Sequence, residues 1–235
     1  MSEISDKYLQ IAQNSTQLYE NGWDNAIAEM WEGIQVGGKR TNYQTAFRNQ
    51  YFTKKTFKPQ YDIAPVGVCT MIFYNMSSDE PLDFVEIEKE CGIKLDFSKA
   101  TNVESIAQIT DAISRFNILD ITSTNNNYGM LWNCNKLTRV EKVIVSETTP
   151  YLANAFRAPN LEHCPFEGTI AQNGLTVQYC TKLDKESLLS ILGCLKDYSE
   201  DTSGTVWKVI LGSANLDKLS AEEKAIATKK GWVLE

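Results

Sequence analysis

A chain of 235 residues, 43% hydrophobic and 23% charged, has apolar surface enough for one or two cored domains and too much for wholesale disorder. Its net charge of −7 repels phosphate backbones, which argues against a nucleic-acid partner and favours plain solubility. Residues 1–7 are polar and acidic with no apolar run behind them, and no stretch has the length of a membrane span. The expectation is a cytoplasmically made product without a signal peptide, found in a virion or outside the cell after lysis, and not at a membrane.

The first predicted element covers 5–34. Ile4, Tyr8, Ile11, Ser15 and Leu18 alternate steps of four and three, the spacing of an amphipathic helix or short coiled coil. Gly22 interrupts the pattern, and Trp23, Ile27, Met30, Trp31 and Ile34 resume it. Such a helix either packs on its own domain or forms an oligomerising or anchoring stalk. Val36-Gly37-Gly38 ends it, which makes 1–37 the first unit. Residues 38–65 form an aromatic and basic connector. Tyr43, Phe47, Tyr51, Phe52, Phe57 and Tyr61 alternate with Lys39, Arg40, Arg48, Lys54, Lys55 and Lys58. That mixture suits single-stranded nucleic acid, but the acidity of the whole chain favours rings that cap the next domain. As candidate contact residues these two units offer Trp23, Trp31, Tyr43, Phe47, Tyr51 and Phe52.

From 66 to 183 the chain is quasi-periodic. Short apolar runs at 93–97, 118–121, 143–145 and 167–170, with a fifth at 206–211, read as strands. Between them, 128–138 and 152–161 share a shape: a bulky apolar residue, a small polar turn, then a leucine. One such unit cannot bury its apolar side, whereas stacked units can, each adding a strand to a parallel sheet. Cys or Asn at the turns can hydrogen-bond backbone left unpaired there. The last unit, 184–235, differs. It holds a predicted helix over 187–195 with Asp184 as N-cap and Leu188, Leu189, Ile191, Leu192 and Leu195 as its apolar face. A strand around Trp207 and a second helix opened by Ser220-Ala221-Glu222-Glu223 follow; Gly231 stops that helix and Trp232-Val233-Leu234 is a closing strand.

Asn133-Cys134-Asn135-Lys136-Leu137-Thr138 resembles BspA-type (Treponema pallidum-type) leucine-rich repeats. The wider layout, from about Gly38 to the C-terminus, resembles a group of leucine-rich-repeat proteins of phages and prophages of gut Firmicutes. Three segments carry that likeness: Gly38-Lys39-Arg40-Thr41-Asn42-Tyr43 through Ala46-Phe47 to Thr56-Phe57-Lys58-Pro59-Gln60-Tyr61; Leu95-Asp96-Phe97-Ser98-Lys99-Ala100; and Glu167-Gly168-Thr169-Ile170-Ala171-Gln172-Asn173-Gly174, followed by Thr181-Lys182-Leu183 and 224–232. The resemblance implies a parallel solenoid on a phage tail, baseplate or fibre, and brings no catalytic residues. One departure is visible: Ser114-Arg115-Phe116-Asn117 stands where a repeat would show its Phe-x-x-Cys turn.

Chemistry has little to work with. The only histidine, His163, adjoins Cys164, and neighbours on a strand point to opposite faces. The cysteines, Cys69, Cys91, Cys134, Cys164, Cys180 and Cys194, lack zinc-site spacing and read as structural thiols. Asp79, Glu80, Asp83, Glu86, Glu88 and Glu90 offer paired carboxylates for a glycan hydrolase, but on a helix Asp83, Glu86 and Glu90 form a solvated face while Phe84 and Ile87 point inward. No P-loop, G-x-G-x-x-G or G-x-S-x-G is present. The expectation is therefore an α/β, leucine-rich-repeat-like parallel β solenoid with irregular repeats, an N-terminal helix and a C-terminal helix–strand cap. It is expected to be no enzyme and to need no cofactor or metal. Its expected role is adhesion, through a host surface glycan or protein and neighbouring virion or tail proteins, with self-association through the N-terminal helix. A structural virion part without a receptor and a bacterial surface interaction protein are the alternatives.

Overall fold

The computed structural model describes residues 47–49, 51–54, 57–59, 62–65, 67–150 and 152–235. The helix expected over 5–34, with Trp23 and Trp31, and Tyr43 lie outside the described residues. The chain is mixed α/β, with several parallel strands and few helices. Its first strands are β1 (Tyr51–Phe52), β2 (Gly67–Val68), β3 (Ser77–Ser78) and β4 (Leu82–Asp83), and helix α1 (Phe84–Cys91) follows at once. Then come β5 (Ala100–Asn102), β6 (Ile113–Asp120), β7 (Leu131–Trp132), β8 (Arg139–Val145), β9 (Phe156–Arg157), β10 (Phe166–Gly168) and β11 (Leu175–Thr176). The chain closes with α2 (Lys185–Cys194), β12 (Trp207–Ile210), α3 (Ser213–Leu216), α4 (Ala221–Lys229) and β13 (Trp232–Leu234).

Every strand pairing among the described residues is parallel. Parallel neighbours cannot be joined by a tight hairpin, so the chain must cross over between them. The longest sheet runs β10-β8-β6-β4, and a second runs β11-β12-β13. Side-chain bonds between turns recur at a similar interval: Thr138 to Ser114, Ser146 to Thr122 and Phe166 to Ser190 each span 24 residues, and others range from 22 for Asn126 to Glu104 to 28 for Thr149 to Ile121. The interval lengthens to 32 between Ser114 and Leu82, where α1 is inserted, and to 33 between Asn173 and Val206. On the long sheet Ile113, Phe116 and Leu119 of β6 and Val140, Val143 and Val145 of β8 are buried. α1 packs against β6, α2 against β10, and α4 against α2.

Between the sheet strands the chain makes turns that copy one another. Met71 and Asn75, Ser105 and Ile109, and Gly129 and Asn133 all have positive φ. The first of each pair donates to the following turn: Met71 N to Glu104 O, Ser105 N to Tyr128 O and Gly129 N to Asn154 O. The second does the same, with Asn75 N on Gln108 O, Ile109 N on Trp132 O and Asn133 N on Arg157 O. The left-handed region is costly for a side chain with a Cβ. Here the backbone bonds it completes outweigh that cost, even at Ile109. The residues held between, Ile72 and Phe73, Ile106 and Ala107, Met130 and Leu131, are all buried.

The predicted C-terminal elements are present. Asp184 caps α2 by accepting from Ser187 N, Ser220 and Glu223 form the capping box of α4, and β13 follows Gly231. Phe84 and Ile87 are the buried residues of α1, and Asp83 is its N-cap. Two expectations change. Residues 93–97 are not a strand: Ile93, Leu95 and Phe97 do face inward, but only Leu95 bridges, to Ile63. Side chains take two of its backbone donors instead, Asp62 holding Lys94 N and Glu88 holding Leu95 N. Ser114–Asn117 is not a displaced turn either, since it lies inside β6; the corresponding turn is Ser105–Ile109, which contains no aromatic residue. The connector shows no break in pairing at 65, for Phe47 N donates to Ile72 O and Ile63 bridges Leu95.

All six cysteines are free thiols. Cys69, Cys134, Cys164 and Cys180 are buried, and Cys134 Sγ donates to Ala107 O in the preceding turn. Burial pushes the Cys69 thiol up to about 12 and the Cys180 thiol to about 11, and raises Cys134 and Cys164 as well. The thiolate is the reactive form. Burial raises the Cys91 and Cys194 thiols too, but these two are only partly buried, so alkylation of native protein at neutral pH, read by mass spectrometry, is expected to modify them alone. The four buried thiols react after denaturation; labelling of Cys134 in the native state would contradict this packing.

Candidate ligand-binding surface

Two of the three described contact candidates belong to the core. Phe47 and Phe52 are 0% and 2% exposed, so they are corrected from contact residues to core residues. Phe47 stacks on Phe73 at 5.5 Å, and Phe52 meets Phe57 edge-on at 5.1 Å. Only Tyr51, at 51%, presents its ring to solvent. The expectation that the connector rings cap the domain describes Phe47, Phe52 and Phe57 better than any contact role.

A different set of side chains meets on the surface. The parallel register sets Trp132 of β7 beside Arg157 of β9, and neighbouring strands lie about 4.8 Å apart. The Arg157 guanidinium carbon sits 4.2 Å from the Trp132 ring centroid and 4.4 Å from that of Tyr179. The cation is thus held between two aromatic faces, within the range where their quadrupoles attract it. Tyr128 extends the row, its ring 5.1 Å from Trp132. Tyr128 and Tyr179 remain 43% and 46% exposed. At Gly129, where φ is +66°, an added Cβ would come within 3.1 Å of Ser105 Oγ, so the turn that carries Tyr128 and Trp132 packs tightly on the one before it.

Two polar groups here lack partners. Arg157 makes no ion pair or side-chain hydrogen bond among the described residues. Trp132 Nε1 is buried with no acceptor. The other described tryptophans differ: Trp207 Nε1 donates to Asp201 Oδ2 and Trp232 Nε1 to Lys196 O. So do the sheet cations: Arg115 pairs with Glu141 at 2.6 Å and with Asp83, Arg139 with Glu141, and Lys142 with Glu167. Segments 127–137, 154–161 and 177–183, which form this surface, contain Lys136, Arg157 and Lys182 and no Asp or Glu. Glu104, which accepts from Asn126 Nδ2 beside Tyr128, borders this surface, and Glu162 and Asp184 directly follow the last two segments.

No protein-family model, curated protein or solved structure matches this chain.

The remaining clusters are committed to the fold. Asp83 Oδ1 caps α1 by accepting from Val85 N and Glu86 N, and its other oxygen faces Arg115. Glu86 pairs with Lys54, Glu90 with Lys58, and Glu88 accepts from Asn117 Nδ2. Carboxylates engaged in this way are poorly placed to serve as an acid and base pair. His163, Asp184 and Glu186 bring three ligand atoms within 4.8 Å of one another, the one grouping among the described residues with metal-like geometry. Within it, Asp184 Oδ1 accepts from Ser187 N, and Oδ2 accepts from His163 Nδ1 at 2.6 Å. A carboxylate only accepts, so that ring nitrogen carries the proton. The cluster closes the N-terminus of α2.

That latch has a pH signature. Burial pushes the Asp184 pKa up, but the bonds from Ser187 and His163 outweigh it, and the net value lies below the ordinary carboxylate range. A lowered folded pKa means stability that is present above the unfolded value of about 3.9 and is lost as pH falls through the folded one. Asp184→Ala is expected to cost about 1 kcal/mol at neutral pH, as loss of an N-cap does. Urea unfolding at pH 7 and pH 3 checks this; an equal cost at both would contradict it.

Proposed function

We propose that the chain is a non-enzymatic binding module, built as an irregular leucine-rich-repeat-like solenoid, whose contact surface is the row Tyr128, Trp132, Arg157 and Tyr179. The observation that carries the binding reading is the sandwiched, uncompensated Arg157 between rings on successive turns. Support for the solenoid comes from the all-parallel pairing, the recurring 24-residue interval and the self-copying left-handed turns. A single turn cannot bury both of its sides, so stacking is what gives each one a core. Placement on a phage tail or baseplate, and a host surface as target, rest on the family resemblance. Exposed aromatic rings and arginine are also the residue types that dominate binding energy at interfaces.

The test is co-sedimentation of the full chain with intact gut Firmicutes cells, alongside a Trp132→Ala, Arg157→Ala double variant shown to be folded by circular dichroism. Binding by the native chain with about a tenfold loss in the variant, or 1.4 kcal/mol, is the expected result. Undiminished binding by the variant would remove the row from the function. No binding to any strain would overturn adhesion and favour a structural virion component.

A further inference from the structure

We infer that the row Tyr128–Trp132–Arg157–Tyr179 is a site for a carboxylate-bearing pyranose, an acidic sugar of the uronic type within a surface polysaccharide. The inference rests on the binding reading above and names its ligand class.

Three requirements converge. The first is negative charge. Arg157 is flanked on both faces by rings, at 4.2 and 4.4 Å, so only the N–H edge of its planar guanidinium is left to bind. That edge is a fork of donors matched to two oxygens of a carboxylate. No acidic residue in the three turns competes for it, and Lys136 and Lys182 lie in the same segments. The second is a neutral acceptor. Trp132 Nε1 is buried without one, and a buried donor left unpaired costs about 1–3 kcal/mol. A ligand oxygen that reaches it recovers that cost on binding. The third is an apolar face. Tyr128 and Tyr179 are 43% and 46% exposed, and their rings offer flat surface to the C–H face of a sugar.

A hexuronic acid supplies all three in one residue: a carboxylate for Arg157, hydroxyl and ring oxygens for Trp132 Nε1, and axial C–H groups for the tyrosines. A neutral hexose lacks the first. A polyol phosphate has the charge but no ring face to lay on tyrosine. Backbone register sets Trp132 beside Arg157, but Trp132 Nε1 has no exposed surface, so a ligand oxygen reaches it only when a covering side chain moves, and that rearrangement offsets part of the gain.

The experiment is isothermal titration calorimetry of the full chain against three oligomers of equal length: a galacturonate, a neutral hexose and a glycerol phosphate. The galacturonate is expected to bind about tenfold or more tighter than the other two, the difference made by one charge-assisted contact. Arg157→Lys keeps the charge but loses the fork and the stack, and is expected to lower galacturonate affinity about tenfold. Trp132→Phe keeps a ring and removes the N–H, with a smaller loss; Tyr179→Ala, at an exposed position, checks the row without threatening the fold. Equal affinity for the neutral hexose would overturn the carboxylate assignment, and preference for the phosphate oligomer would overturn the sugar. Silence with all three while the cells are still bound through Trp132 and Arg157 would overturn this inference alone. Silence with both sugars and cells would overturn the binding reading with it.

Discussion

Gly168→Ala is expected to destabilise the protein by about 4 kcal/mol or more, in the range reserved for severe single-site effects. Gly168 is the last residue of β10 and pairs with Val145 of β8. Its φ is +105°, and an added Cβ would stand 2.0 Å from Val145 O and 3.1 Å from Val145 C. Both obstacles are backbone of a sheet strand, so no side-chain rotation relieves them. Either the backbone leaves a region that L residues rarely adopt, breaking the β8–β10 pairing, or the strands separate. Urea unfolding measures the cost, and a chain that accumulates only as insoluble protein is its extreme form. Gly193 supplies the control. It lies within α2 and an added Cβ meets nothing within 4 Å, so Gly193→Ala is expected to stabilise by about 0.5–1 kcal/mol. A Gly168→Ala protein with the native urea midpoint would contradict the contact.

The C-terminal elements were legible because local rules suffice for them. Asp184 with Ser187, and Ser220 with Glu223, are caps written within four residues of sequence. The long sheet was only half legible. The expected strands at 118–121 and 143–145 are the apolar ends of β6 and β8, which begin at Ile113 and Arg139. Their first halves hold Arg115, Asn117, Arg139 and Glu141, residues that look like loop until cross-strand pairing matches their charges. Residues 93–97 show the reverse error: an inward alternation without a strand, because side chains hold two of its backbone donors, Lys94 N and Leu95 N.

The row Tyr128, Trp132, Arg157 and Tyr179 was harder to see. Its members come from separate turns, and only the register brings them together. A signal existed. Leu137, Leu161 and Leu183 close successive turns, and four residues before the last two stand Arg157 and Tyr179. Counting from those leucines aligns that pair. Trp132 lies five before its leucine, and the one-residue slip that seats it against Arg157 is fixed by Leu131↔Phe156 pairing, which no spacing rule gives. The aromatic connector misled for a related reason. Composition marks Phe47 and Phe52 as notable rings, but whether a ring is buried depends on which turn stacks on it.

The core around those rings gives the second large effect. Phe84, the first residue of α1, is fully buried. It stacks on Phe116 of the long sheet at 5.4 Å, meets Phe73 at 5.2 Å, and touches Phe57 edge-on at 5.7 Å. One side chain thus joins the connector, a left-handed turn, a helix and the sheet. Phe84→Ala leaves a ring-sized void among partners that cannot all collapse into it, and the expected cost is about 3–5 kcal/mol. Phe84→Leu keeps most of the volume and is expected to cost about 1.5 kcal/mol. Where the loss appears matters more than its size. If each turn is held chiefly by its neighbours, stability is a sum of local contributions, and damage near one end spreads little. Hydrogen exchange of Phe84→Ala is then expected to lose protection at Phe73, Ile87 and Phe116, while α2, α4 and β13 keep theirs. Equal loss of protection along the whole chain would mean a single cooperative core, and the solenoid reading would fall with it.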